Sequence, residues 1–212
     1  MITIALPKGR LGRQTLELLN KSVEGLGELD LSSRKLVFNC PNTNLRFILV
    51  KPSDVPTYVE YGAADIGIAG KDTLLETQSK VYEMLDLGFG KCKMAVAGFP
   101  KEKNSWISTA HRRVATKYPN VAKNYFSGIG EAVEVIKLNG SVELGPLVGL
   151  SDVIVDIVES GKTLKENGLV VLEEICSISA RLVVNRVSLK VKKDSIAELI
   201  DSIEKNIGGI NK

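Results

Sequence analysis

The stretch "DVIVDIVESGKTLKEN", Asp152–Asn167, sets the reading of the whole chain. Four apolar residues fall in its first six positions, the composition of a buried strand. The Ser-Gly pair then breaks the run, and "SGKTLKEN" reads as a short helix closed by Gly168. Strand, tight turn and helix in this order are the repeating unit of an α/β protein. The turn is nearly a phosphate loop of the form GxxxxGK[ST], but "DIVESGKT" carries Asp156 where the first glycine belongs. A carboxylate there repels a chain of phosphates, which disfavours a plain triphosphate site. An ionised acid is a pure acceptor, however, and a sugar diol is a pair of donors. The amides after Ser160 and Gly161, with the Thr163 hydroxyl, suit a phosphate monoester. A ribose 5-phosphate offers both faces: phosphate to "SGKT", hydroxyls to Asp156 and Glu159. The plainer alternative is a strand-turn-helix with a solvated acidic cap.

Working outward, short apolar runs alternate with amphipathic ones along the chain. "ITIAL" is a strand ending at Pro7, and residues 9–26 read as a helix. "LRFILVK" is a strand, "PSDVPTYVEYG" a helix begun by proline, "ADIGIAG" a strand and "KDTLLETQ" a short helix. "VYEMLDLG" and "CKMAVAGF" are two further strands. After a charged, irregular stretch around residues 100–112 a second series opens. It comprises strand "RVATK", helix "YPNVAKNYFSG", a strand within "EAVEVIKLNG", short helix "SVELGPLVG" and the strand "DVIVD". "LVVLEEICSISARLVVN" is β-like throughout, and "DSIAELIDSIEKNI" is an amphipathic helix with Asp194 as candidate cap. The expectation is two α/β lobes, residues 1–90 with 177–212 and residues 91–176, with a ligand cleft between them.

The bulk numbers exclude several classes of function. The 212 residues carry 44% hydrophobic and 25% charged residues, ordinary for a globular protein. A net charge of +3 and 5% aromatics argue against nucleic acid or a membrane surface as partner. The N-terminus "MITIALPKGRLG" lacks a signal-peptide apolar region, and no run is long enough to span a bilayer. Cys40, Cys92 and Cys176 are scattered and form no CxxC pair, so neither zinc nor a disulfide framework is suggested, and a reducing cytoplasm is expected. His111, the one histidine, lies in a polar run and builds no relay or metal cluster.

The segment Glu143–Leu164, "ELGPLVGLSDVIVDIVESGKTL", resembles the signature of the ATP phosphoribosyltransferase family. So do "ALPKGRL", "DVPTYVEYGAADIGIAGKD", "VATKYPN" and "ARLVVN", in that order over essentially the whole chain. The resemblance is to the short form of the family, which lacks a C-terminal regulatory domain. It implies the two-lobed fold of type II periplasmic binding proteins. It also implies the reaction in which N1 of ATP displaces pyrophosphate from phosphoribosyl pyrophosphate (PRPP), giving phosphoribosyl-ATP. Asp156, Glu159, Ser160, Gly161, Lys162 and Thr163 would hold the phosphoribosyl group, with Glu143 near it. Asp72 and Tyr118 would meet the adenine, and Lys8, Arg10, Arg34 and Lys51 would surround phosphates. Lys51 departs from the arginine usual in the family, keeping the charge and losing the planar fork.

Magnesium bound to the substrate is implied as well. So are a homodimer alone and a hetero-octamer with a regulatory subunit similar to histidyl-tRNA synthetase, since the chain ends at Lys212 shortly after its last helix. Two rival readings stay open on sequence. An exported solute-binding module shares the fold, and another phosphoribosyltransferase would share the loop.

Overall fold

The computed structural model describes residues 1–27, 29–30, 34–101 and 112–207; His111 lies outside them. Two compact units result, Met1–Gly90 with Ser179–Lys212, and Lys91–Ile178.

In the first unit, β1 (Ile2–Pro7), β3 (Leu45–Val50) and β4 (Ile66–Gly70) are short, β-branched and buried on both faces, as parallel strands must be. β1 lies between the other two and runs parallel to both. The antiparallel strands β2 (Val37–Cys40), β5 (Tyr82–Asp86) and β11 (Ala180–Val184) complete a six-stranded sheet of order β2-β3-β1-β4-β11-β5. On one face pack α1 (Arg10–Ser22) and α8 (Lys193–Glu204), whose buried Leu16, Leu18, Leu19, Ile196, Leu199 and Ile203 meet Ile4, Leu6, Phe47 and Leu182. On the other, Val55 and Val59 of α2 (Val55–Glu60) meet Ala5, Ile48, Ala69 and Val183. Gly67 is required there, because a Cβ would come within 2.5 Å of Val59 and 2.7 Å of Val55.

The second unit is a five-stranded sheet of order β10-β6-β9-β7-β8. Its members are β6 (Cys92–Gly98), β7 (Arg112–Thr116), β8 (Val133–Lys137), β9 (Val153–Val158) and β10 (Val170–Ile178). β7 runs parallel to β8 and β9, whereas β6 is antiparallel to β9 and β10. The helices are α4 (Pro119–Gly128), α5 (Leu144–Leu147) and α6 (Lys162–Glu166).

Several expectations need correction. The helix from Gly9 stops at Ser22, where Val23 turns extended and Gly25 and Gly27 adopt φ of 75°, short of the expected Leu26. β2 was not expected; four residues with one exposed face give little periodicity to read. The β-like run 169–185, which holds the expected crossing between the lobes, is not one strand but two in different sheets, broken at Ser179. Asp194 does not cap the last helix: Lys192 occupies the cap with no side-chain bond, and a further short helix, α7 (Ser188–Val191), precedes it. The chain is tied there by buried Asn185, whose Nδ2 donates to Val59 O at 2.7 Å and whose Oδ1 accepts from the Val187 and Ser188 amides.

Buried Asp65 adds a second tie, accepting from the Thr3 amide, Ser188 Oγ and Lys192 Nζ at 2.6–2.9 Å. Burial alone would raise the Asp65 carboxyl; the hydrogen bonds from Lys192, Ser188 and Thr3 outweigh it and hold the group below its ordinary value.

Candidate active site

In open α/β sheets, ligands sit outside the carboxyl ends of parallel strands. In the first unit those ends are Val50, Pro7 and Gly70, on the adjacent strands β3, β1 and β4 respectively. Lys8 follows β1, and its amide donates to Val50 O at 2.9 Å, which continues the ladder beside Lys51. Gly9, at φ 98°, then turns the chain so that Arg10 begins α1, and a Cβ on Gly12 would collide with Pro7 O. Lys51 follows β3. β2 runs antiparallel to β3, and the Leu49 amide donates to Leu36 O, so Arg34 reaches the same edge from the opposite direction. Lys8, Arg10, Arg34 and Lys51 are exposed. The first turn of α1 contains no acid, and two cations flank its start, an arrangement the helix dipole opposes. Cations placed there against the local field point to an anionic ligand.

Asp72 lies in the first turn of α3 (Lys71–Thr77), directly after β4. Its carboxylate folds back over Gly70, where any Cβ would collide with Asp72 Oδ1. The fold thus brings residues from four separate stretches to one sheet edge.

The second unit holds its candidates differently. β9 carries Asp156 on the same face as Ile154 and Val158 by strand alternation. Val158 and Leu164 are both buried in one cluster with Val142, Ala115 and Ile154. The loop 159–163 is therefore pinned at both ends, and Glu159, Ser160, Lys162 and Thr163 are exposed. Gly161 turns it at φ 73°, a conformation that other residues adopt only with strain. Lys162 approaches Glu166 at 3.8 Å with both side chains largely exposed, a pair of little energetic weight. Glu143 stands at the N-cap of α5, and its neighbour Val142 packs in the same cluster as Val158 and Leu164. Gly145 allows α5 to approach closely, since a Cβ would lie 2.5 Å from Ser151 Oγ and 2.9 Å from Ala115.

Tyr118, at the N-cap of α4, is only 6% exposed. Its amide donates to Thr116 Oγ1 at 2.8 Å, and that hydroxyl donates to Val155 O at 2.6 Å. Thr116, fully buried, thereby links the end of β7 to β9 beside Asp156. Sequence reasoning missed it, although a threonine two residues before "YP" is the signal of a hydroxyl-stabilised turn.

Comparison with known proteins identifies the family to which the chain belongs. A family model described as HisG, ATP phosphoribosyltransferase, matches residues 51–205. The chain belongs to the ATP phosphoribosyltransferase family. It is 56% identical to an ATP phosphoribosyltransferase of Caldicellulosiruptor bescii, over 98% of this chain and 99% of the relative. It is 58% identical to that of Ruminiclostridium cellulolyticum, over 95% of each. Among solved structures it is similar to the ATP phosphoribosyl transferase (HisG:HisZ) complex of Thermotoga maritima. That match has a TM-score of 0.84 at 36% identity, covering 99% of this chain and 100% of the other. The VFT2 domain of Bordetella pertussis BvgS shares the fold alone, with a TM-score of 0.60 at 12% identity over 99% of this chain and 91% of that domain.

The fold is that of type II periplasmic binding proteins, and the family's reaction transfers the phosphoribosyl group of PRPP to N1 of ATP, the first step of histidine biosynthesis. Of the two rivals, the solute-binding module shares only the fold, and the family match selects ATP over other bases.

Proposed function

We propose that the two halves of the chemistry are divided by residue type. The loop of the second unit holds the phosphoribosyl group: "SGKT" takes the 5-phosphate, and Asp156 and Glu159 take the ribose hydroxyls. The single observation that carries this is the pinning of residues 159–163 between buried Val158 and Leu164, with Asp156 on the same strand face. Glu143 lies near the same group. The sheet edge of the first unit supplies Lys8, Arg10, Arg34 and Lys51 to phosphates, and Asp72 accepts from the adenine 6-amino group. Tyr118 borders the purine, although at 6% exposure it has little ring face to offer for stacking.

Adenine N1 already carries a lone pair, so no strong base is required. The residues bind, orient and neutralise. Magnesium belongs to this reading as an ion carried by the substrate, as the family resemblance implies. When bound, it neutralises charge on the departing pyrophosphate.

A homodimer, and a hetero-octamer with a regulatory subunit similar to histidyl-tRNA synthetase, also belong to this reading. The exposed Leu144, Leu147, Val148 and Leu150, with Val148 at 71%, support a protein contact on the second unit. A cytoplasmic site of action also belongs to this reading, on the scattered spacing of Cys40, Cys92 and Cys176. No helix among the described residues is long and apolar enough to cross a membrane.

Incubation with PRPP, ATP and magnesium tests the reading. The near-ultraviolet absorbance of an N1-substituted adenine should appear with all three and vanish when PRPP is omitted. A chain that binds PRPP yet yields no such product would overturn it.

A further inference from the structure

Beside the candidate active site runs a closed ring of charges that the roles above leave unused. Glu83 engages two cations with its two oxygens, Lys71 Nζ at 2.6 Å and Arg181 Nη1 at 3.3 Å. Arg181 Nη2 reaches Asp86 Oδ2 at 3.0 Å. Asp86 Oδ1 accepts from Ser179 Oγ at 2.8 Å and from the Gly88 amide at 2.9 Å. The ring closes through the backbone, because the Lys71 amide donates to Ser179 O at 3.0 Å. Lys71, Arg181 and Glu83 are each about a third exposed or less.

The ring depends on a β-bulge. Glu83 and Asp86 are three residues apart, and regular alternation would project them from opposite faces of β5. In the pairing with β11, Asp86 lies opposite Arg181, Leu85 opposite Leu182 and Glu83 opposite Val183, so Met84 is an extra residue. The extra residue resets the alternation and places both carboxylates on the face of Arg181 and Val183. Two carboxylates and two cations cancel, so the ring offers no net charge to a phosphate, unlike Lys8 or Lys51. Its visible effect is geometric. Lys71 is the first residue of α3, fixed by its side chain to Glu83 and by its amide to Ser179, and Asp72 is the next residue.

We infer that the ring Lys71, Glu83, Arg181, Asp86 and Ser179 positions Asp72 for the nucleotide, Glu83 and Arg181 acting through Lys71 without touching substrate. This rests on the reading that Asp72 accepts from the adenine amino group. Release of the ring frees the first turn of α3, and the Asp72 carboxylate leaves its place over Gly70. The ordering cost then falls on nucleotide binding and leaves the PRPP loop untouched.

Steady-state kinetics of Asp72→Asn, Glu83→Gln and Arg181→Gln, alone and with each ring variant combined with Asp72→Asn, test this against thermal melting of the same proteins. The ring variants should each raise the KM for ATP about tenfold, with kcat and the KM for PRPP within about twofold. Glu83→Asp should recover part of the loss, and in the Asp72→Asn background the ring variants should add nothing. An unchanged ATP KM in the ring variants, with Asp72→Asn impaired, overturns the inference and leaves the adenine reading standing. A lower melting temperature without an ATP effect does the same, since the ring is then a brace only. An Asp72→Asn enzyme with parental ATP KM overturns the adenine reading, and the inference with it.

Discussion

The two units prepare their candidate binding residues in opposite ways. In the second, Asp156 to Thr163 is one contiguous stretch, a strand end, a turn and a helix start, fixed by Val158 and Leu164 on either side. In the first, Lys8, Arg10, Arg34, Lys51 and Asp72 come from four separate stretches of the chain and share an edge only because β1, β3 and β4 are parallel neighbours and β2 runs back along β3. A contiguous site needs only local geometry, so it is written as a motif. A dispersed site is written in strand order and register. The charges differ too: the edge of the first unit carries exposed cations, and the loop of the second mixes acids with hydroxyls and backbone amides.

The largest effect should come from emptying the dispersed edge. Lys8→Ala combined with Lys51→Ala removes two exposed cations from adjacent strand ends. It should lower kcat/KM by about a thousandfold, as two charge-assisted hydrogen bonds are worth roughly 1.5–3 kcal/mol each. Melting should stay close to the parent, because neither side chain is buried. A loss no larger than the two single variants give alone would mean that the residues do not act on separate phosphates.

Next in size is the contiguous loop. Asp156→Asn keeps the shape and removes the charge, and PRPP binding by calorimetry should weaken by roughly 1–3 kcal/mol. ATP binding should hold. Equal weakening of both ligands would break the division of labour between the units.

Smaller still is Gly161→Ala. The space is open, with Val158 Cγ1 3.8 Å from an added Cβ, so the cost is the positive φ alone, about 1 kcal/mol. PRPP binding should fall only a few-fold. A loss as large as that of Asp156→Asn would show that the turn itself, and not the carboxylate, dominates recognition.

The smallest effect at neutral pH concerns Asp65, at the amino end of β4 and so at the edge away from the cations. Its folded pKa is lowered, so its contribution is fully present above the ordinary carboxylate value of about 4 and is lost as pH falls through the lowered folded value. Melting of the parent followed from pH 6 downward should show a destabilisation below about pH 4 that Lys192→Ala diminishes. An identical acid profile in that variant would mean that Lys192 does not hold the carboxylate low.

Much of the local structure follows from composition. β1, β3, β4 and α4 occur where apolar runs and a proline at the helix start predict them, because parallel strands buried on both faces need largely apolar runs and Pro119 fixes φ for the first turn. The loop Asp156–Thr163 was legible for the same reason: its Gly161, its hydroxyls and its displaced acid are all neighbours in the chain. The pairing within residues 169–185 was not, because their β character is uniform and nothing local says that Val170–Ile178 pairs with β6 while Ala180–Val184 pairs with β4 and β5. Thr116 and Asn185 were invisible as anchors, since each bonds to backbone on another segment.

By itself, then, the sequence determined the α/β class, most element types and the residue pattern of the one contiguous loop, all of which depend on contacts within about a turn or two. Only the tertiary structure decided the strand order that gathers five dispersed residues at one edge, and the bulge at Met84 that turns Glu83 and Asp86 to the same face. Both depend on pairing between segments far apart in the chain, and a pairing register is a property of two strands that neither one carries alone.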